Sequence, residues 1–177
     1  MMRLTLAVSD RPVMTLTDAL ARFDALPAVS TQEMHGEWRG SGVPTGHDMD
    51  GLLETYQWYG KSFLSDEVVH PLVFRTRLGQ KYAIDPCLIP LSLSRYHALT
   101  RNVVARALFR LATPLLRTRS PRARLRAVSH RGVTTAAMVY DHLPIIDCFR
   151  RIDERSMLGV MDIRGAAPFF FQLERDT

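Results

Sequence analysis

Five strand-like runs fill the last third of the chain, with very little sequence between them. They span 122–131, 133–140, 145–152, 157–163 and 169–174. Gly132, Asp141-His142-Leu143-Pro144, Asp153-Glu154-Arg155 and Arg164-Gly165 are all that separates them. Connections this short join only antiparallel neighbours, because a parallel crossover needs about a dozen residues or more. The result is an antiparallel meander, and a meander must bury or close its edges. Shorter strand-like runs at 36–43, 72–77 and 81–84, the last two flanking Leu78-Gly79-Gln80, bring the count to about eight. Eight strands are enough to close a small barrel.

Helical spacing dominates elsewhere. Thr15 or Thr17 caps a helix running to about Leu26, with Leu16, Leu20, Phe23 and Leu26 on one face and Pro27 closing it. Asp50 caps a second helix over 51–63, carrying Leu52, Leu53, Tyr56, Tyr59 and Phe63. A third covers most of 94–117. Its stripe of Tyr96, Leu99, Val103, Ala107 and Leu111 packs on the barrel, and the Ser120-Pro121 pair ends it. Residues 1–14 form a flexible tail and 15–177 a single barrel domain. Its parts are 15–90, a helical insertion at 91–117, and the meander at 118–177. The fold class is mainly β with two to three packed helices.

At 177 residues, 46% hydrophobic and 23% charged, the chain has the balance of one soluble domain. The apolar run at 4–8 is too short for a signal-peptide core, and nothing approaches the roughly 18 residues of a membrane span. The expected location is cytoplasmic, and Cys87 and Cys148 are expected to be buried reduced thiols. His35, His47, His70, His97, His130 and His142 never pair at i,i+2 or i,i+4, so no metal site is expected. GxGxxG, GxxxxGK[ST] and GxSxG motifs are missing, so no cofactor and no serine-hydrolase chemistry are expected. The chain carries 21 Arg against 2 Lys, Lys61 and Lys81. Arg122, Arg124 and Arg126 share one strand face, read as solvated outer wall. Binding of acidic lipid headgroups or an anionic ligand is the alternative. Nucleic acid is disfavoured because no aromatics interleave with these arginines. Contact of the 94–117 helix with a membrane surface is the alternative to its packing on the barrel. The protein is expected as a monomer or homodimer.

The segment Gly36-Glu37-Trp38-Arg39-Gly40 places glycines at alternate positions around a Trp, which suits a strand that another backbone approaches closely. It resembles the bacterial GxWxG-domain family. The likeness continues through Pro44-Thr45-Gly46-His47, Asp50-Gly51-Leu52-Leu53 and Trp58-Tyr59-Gly60-Lys61. The C-terminal part is similar to the domain of unknown function that accompanies it. The residues carrying that likeness are Arg131-Gly132-Val133, Ala136–Asp141, Pro144-Ile145-Ile146-Asp147 and Phe169-Phe170-Phe171-Gln172-Leu173. A GxW near the first strand also resembles the calycins, meaning lipocalins and fatty-acid-binding proteins. That likeness implies a Trp plugging the closed barrel end beneath an Arg, here Arg131 or Arg164.

Chemistry centres on Asp147. With 141–144 as the turn, Tyr140 faces Ile145 and Met138 faces Asp147, so Met138, Tyr140, Ile145, Asp147 and Phe149 share one face. A carboxylate on an otherwise apolar face is either paired or shifted in protonation. One reading makes Asp147 an acid or base, with Tyr140 orienting and His47 or His142 assisting. The other pairs it with an Arg or a backbone donor. Trp38, Trp58, Tyr59, Met138, Phe149 and Phe170 are the candidate ligand-lining residues, with the 51–63 helix as a lid. The function expected is binding of a hydrophobic small molecule of fatty acyl, terpenoid or polyketide type. The alternative is a cofactor-independent isomerase, cyclase or lyase on such a molecule.

Overall fold

The computed structural model describes residues 14–76, 78–89 and 102–176. Residues 1–13 of the expected tail and 94–101 of the helix expected over 94–117 lie outside those residues. Thr15 accepts a hydrogen bond from the Asp18 amide and starts α1 (Leu16–Ala25). Ser30 and Glu33 cap each other's backbone at α2 (Thr31–Met34). Among the described residues ten strands follow: β1 (Gly36–Gly42), β2 (Trp58–Phe63), β3 (Val69–Arg75), β4 (Lys81–Ile84), β5 (Arg117–Thr118), β6 (Ala123–His130), β7 (Val133–Tyr140), β8 (Ile145–Arg151), β9 (Ser156–Ile163) and β10 (Phe169–Arg175).

All pairings are antiparallel. The order β2-β1-β10-β9-β8-β7-β6-β3, with β2 also paired to β3, closes eight strands into a calycin-like barrel. β4 and β5 extend from β3 as a flange. The expected meander is present, and Met138 lies opposite Asp147 as the turn length requires. The strand expected at 81–84 exists but lies outside the closed barrel, and β2 takes its place.

β2 is where the expected helix over 51–63 fails. Only α3 (Leu52–Thr55) is helical. Gln57 adopts φ 59° and Gly60 φ 153°, which no continuing helix allows. Every side chain of β2 is buried, so the segment lacks the alternation of a half-buried strand. The expected lid over the mouth from Trp58 and Tyr59 is therefore a barrel wall instead.

Two apolar layers result from strand alternation. Trp38, Trp58, Phe63, Leu125, Met138, Tyr140, Phe149, Phe171 and Leu173 belong to the core inside the barrel. Ala137, Cys148, Leu158, Val160 and Phe170 pack outside it under Ala19 and Phe23 of α1. Cys148 is buried as expected, but Cys87 is exposed.

α4 (Val103–Leu116), capped by Asn102, lies at the barrel mouth. Phe109 meets Tyr56 at 4.8 Å and Phe74 at 5.7 Å between ring centroids. The expected barrel-facing stripe is wrong: Val103 is 68% and Leu111 77% exposed. β5 pairs with β4 directly after the helix, and the Leu116 carbonyl accepts from the Asp85 amide, which fixes the helix's roll with Phe109, Thr113 and Leu116 inward. Among the described residues no helix is long and apolar enough to cross a membrane.

Close backbone approach explains one glycine. A Cβ on Gly60 would sit 1.9 Å from the Trp38 carbonyl oxygen. Gly60→Ala is therefore expected to destabilise the barrel by about 3 kcal/mol, combining strain with overpacking. Gly165→Ala, at a left-handed turn in open space, is expected to cost about 1 kcal/mol. Urea denaturation of both variants checks the difference; equal losses would refute the close-approach account.

Candidate functional site

Alternation along β8 sends Ile145, Asp147 and Phe149 into the lumen. β2 sends Lys61 inward from the opposite wall, four strands away around the barrel. Lys61 Nζ lies 2.8 Å from Asp147 Oδ2, and both residues are buried. The ammonium also donates to the Pro71 carbonyl at 3.3 Å. It stands 4.8 Å from the Phe171 ring centroid, 5.4 Å from Trp58 and 6.0 Å from Tyr140. The pair thus forms a crossbar through an aromatic lumen. Asp147 Oδ1 and Trp58 Nε1 are buried without a hydrogen-bond partner among the described residues.

Burial pushes the Asp147 carboxyl above its ordinary value, and the nearby Lys61 opposes that shift. Burial, with the Asp147 charge beside it, holds the Tyr140 phenol well above its ordinary value. Such a pair attracts strongly, but stripping water from both charges offsets the gain.

The closed end is built around Trp38. Its indole N–H donates to the Met34 carbonyl at 2.7 Å. Arg175 lies 4.4 Å above the ring and donates to the carbonyls of His35 and Glu33. The Arg across the Trp is therefore Arg175, neither Arg131 nor Arg164. Arg131 instead forks onto Asp24 of α1.

Several other expected site residues are not together. Phe170 points out of the barrel, 6.3 Å from Phe23, because its neighbours Phe169 and Phe171 take the inward positions. Tyr59 faces outward, between Lys81, Arg75 and Asp176. His142 is exposed in its turn. His47 sits by Phe169, accepts from the Met49 amide and pairs with the Ala167 carbonyl. Neither histidine is bonded to Asp147. Trp38 is a plug of the closed end, whereas Trp58, Met138 and Phe149 line the core around the crossbar. Outside, Arg122, Arg124 and Arg126 pair with Asp85, Asp141 and Glu67. Among the described residues no three His, Cys, Asp or Glu side chains converge as metal ligands.

Lys61 escapes sequence reasoning because its segment has helical spacing. The signal available was a rare Lys among apolar and aromatic neighbours in an Arg-rich chain. A strand reading of 58–63 would have raised the question of what neutralises it.

Residues 21–79 match the family described as GXWXG protein, and residues 121–175 match a domain of unknown function, DUF4334. A crystal structure of a protein from Thermomonospora curvata is 31% identical, with a TM-score of 0.65, covering 89% of this chain and 85% of that one. No curated protein matches the chain.

Breaking the crossbar on one side should be costly. Asp147→Asn or Lys61→Met alone is expected to destabilise by about 3 kcal/mol, while Lys61→Met with Asp147→Leu recovers most of it. In Lys61→Met the lone carboxyl keeps a raised folded pKa. Its protonated form then favours folding below about pH 4, the unfolded value, and that benefit is lost as pH rises through the folded value. Denaturant titrations across pH, with Lys61→Met/Asp147→Leu as the flat reference, check the sign. An opposite slope would refute it.

Proposed function

Because this chain belongs to the GXWXG protein family and carries the DUF4334 domain on the same barrel, we propose that it binds a hydrophobic small molecule inside that barrel. The observation that carries the reading is the lumen itself. It is aromatic and aliphatic throughout, yet crossed by one ion pair with a carboxylate oxygen left unsatisfied. A buried acceptor without a partner is expensive unless a ligand or water completes it. Trp58 Nε1 is a donor in the same condition. A hydroxyl both donates and accepts, so a fatty, terpenoid or polyketide molecule bearing one can complete either atom. Apolar area supplies the affinity and the polar pair the orientation.

The raised carboxyl of Asp147, next to Tyr140, supports a second reading as an acid–base isomerase, cyclase or lyase. Pairing with Lys61 weighs against it. A carboxylate held by a fixed ammonium is a poor proton carrier, and neither His47 nor His142 bonds to it.

Native mass spectrometry of the purified protein, followed by solvent extraction, tests the proposal. A co-purifying neutral apolar compound, whose return to stripped protein stabilises it by about 2.7 kcal/mol at a hundredfold excess over Kd, is the expected result. An empty barrel that no long-chain or terpenoid alcohol stabilises would refute it. Turnover of such a compound, lost in Asp147→Asn with binding kept, would favour the enzyme reading.

A further inference from the structure

α4 has an inward face on the barrel mouth and an outward face with nothing on it among the described residues. Outward, Val104 is 61%, Leu108 60%, Leu111 77% and Leu115 83% exposed. Spacings of four, three and four residues put these side chains on one stripe. Single exposed aliphatics are ordinary, but a contiguous row on one helix marks a contact surface.

The charge along this stretch of the chain is one-sided. From Pro86 to Tyr140 the chain has ten Arg and no Asp, Glu or Lys, whereas the rest has thirteen basic residues against eighteen acidic. Arg122, Arg124 and Arg126 are engaged by carboxylates. Arg106, Arg110, Arg117 and Arg119 have no carboxylate partner among the described residues, and Arg117 stacks 4.2 Å over Tyr82. Within Pro86–Tyr140, the described arginines without a carboxylate partner therefore lie in and just after the helix that carries the stripe.

We propose that α4 docks the barrel mouth onto an anionic lipid bilayer. Val104, Leu108, Leu111 and Leu115 enter the boundary between headgroups and acyl chains, and Arg110, Arg117 and Arg119 meet the lipid phosphates. A second copy of this chain fits the surface poorly. Face-to-face pairing would bring two acid-free, arginine-bearing helices together with nothing to neutralise them. An anionic bilayer supplies both the apolar depth and the counter-charge. This docking does not depend on what the lumen holds, so it fails or succeeds separately from ligand binding.

Co-sedimentation with vesicles tests it, using the full chain and phosphatidylcholine with or without about 30 mol % phosphatidylserine, near physiological ionic strength. The chain is expected to partition onto the anionic vesicles and far less onto pure phosphatidylcholine. Leu108→Gln/Leu111→Gln/Leu115→Gln changes only exposed positions, and its fold is checked by circular dichroism. It is expected to weaken partitioning about tenfold or more. Arg110→Gln and Arg117→Gln are each expected to weaken it about fivefold, with a shallower salt dependence. Absence of partitioning, equal partitioning onto both vesicles, or an unchanged triple variant would overturn the proposal. A dimer that the triple variant dissociates would also overturn it, in favour of self-association.

Discussion

The barrel depends on one junction, where Trp38 joins the chain's beginning to its end. Its indole hydrogen bond holds the turn of α2, and Arg175 from the last strand spans the ring and reaches back to two carbonyls before β1. The Gly60 backbone presses against the Trp38 carbonyl, and a Cβ on Gly40 would meet the Trp58 ring at 2.0 Å. Any side chain at Gly60 would hold β2 away from β1, and without β2 the sheet has no route from β1 to β3. Local tightness and global closure are therefore the same constraint. The alternating glycines around Trp38 belong to that geometry, independently of any ligand.

Closure brings β2 opposite β8, and this makes the Lys61–Asp147 pair possible. Only a long cationic side chain crosses half a lumen, and the compact Lys61 head stands about 5 Å from the rings around it. A barrel of this size could fill the same volume with aliphatic groups and avoid the desolvation of two charges. The pair is weakly justified by stability, and the unsatisfied Oδ1 removes part of what justification remains. Polar groups that cost stability inside an apolar core are found at recognition sites as well as in structural ion-pair networks. The unsatisfied Oδ1 favours a bound molecule over a purely structural core.

The meander was legible because short polar turns between alternating runs leave no other topology. β7 was legible to the residue, and with it the Met138–Asp147 register. β2 was illegible for a physical reason. Buried on both faces, it shows no period of two, and its apolar residues happen to fall three and four apart. Everything that depended on β2 was lost with it: the partner of Asp147, the outward turn of Tyr59, and the wall against Trp38. The Phe169-Phe170-Phe171 run announced that rings would point both ways but not which. The registers opposite β9 and β1 decide that. Arg175 was missed because an Arg near a chain end carries no spacing signal.

The two ends of the barrel differ in how firmly they are held. The closed end has Trp38, Arg175 and the capped α2, bonded through the backbone of three segments. The mouth has α4, seated by Phe109, Thr113 and Leu116 and tied through Asp85 to the β4–β5 flange. Local opening follows the density of buried contacts, so the mouth yields before the plug. On the proposed ligand-binding reading, the route to the crossbar runs past α4, beside Tyr56 and Phe74, and not past Trp38. The same helix, with the residues just after it, holds the exposed aliphatic stripe and arginines that have no carboxylate partner among the described residues, so whatever α4 touches outside bears directly on the barrel mouth. If both proposals hold, an apolar ligand gains most, because a helix docked on lipid lets it pass from one apolar phase to another without crossing water.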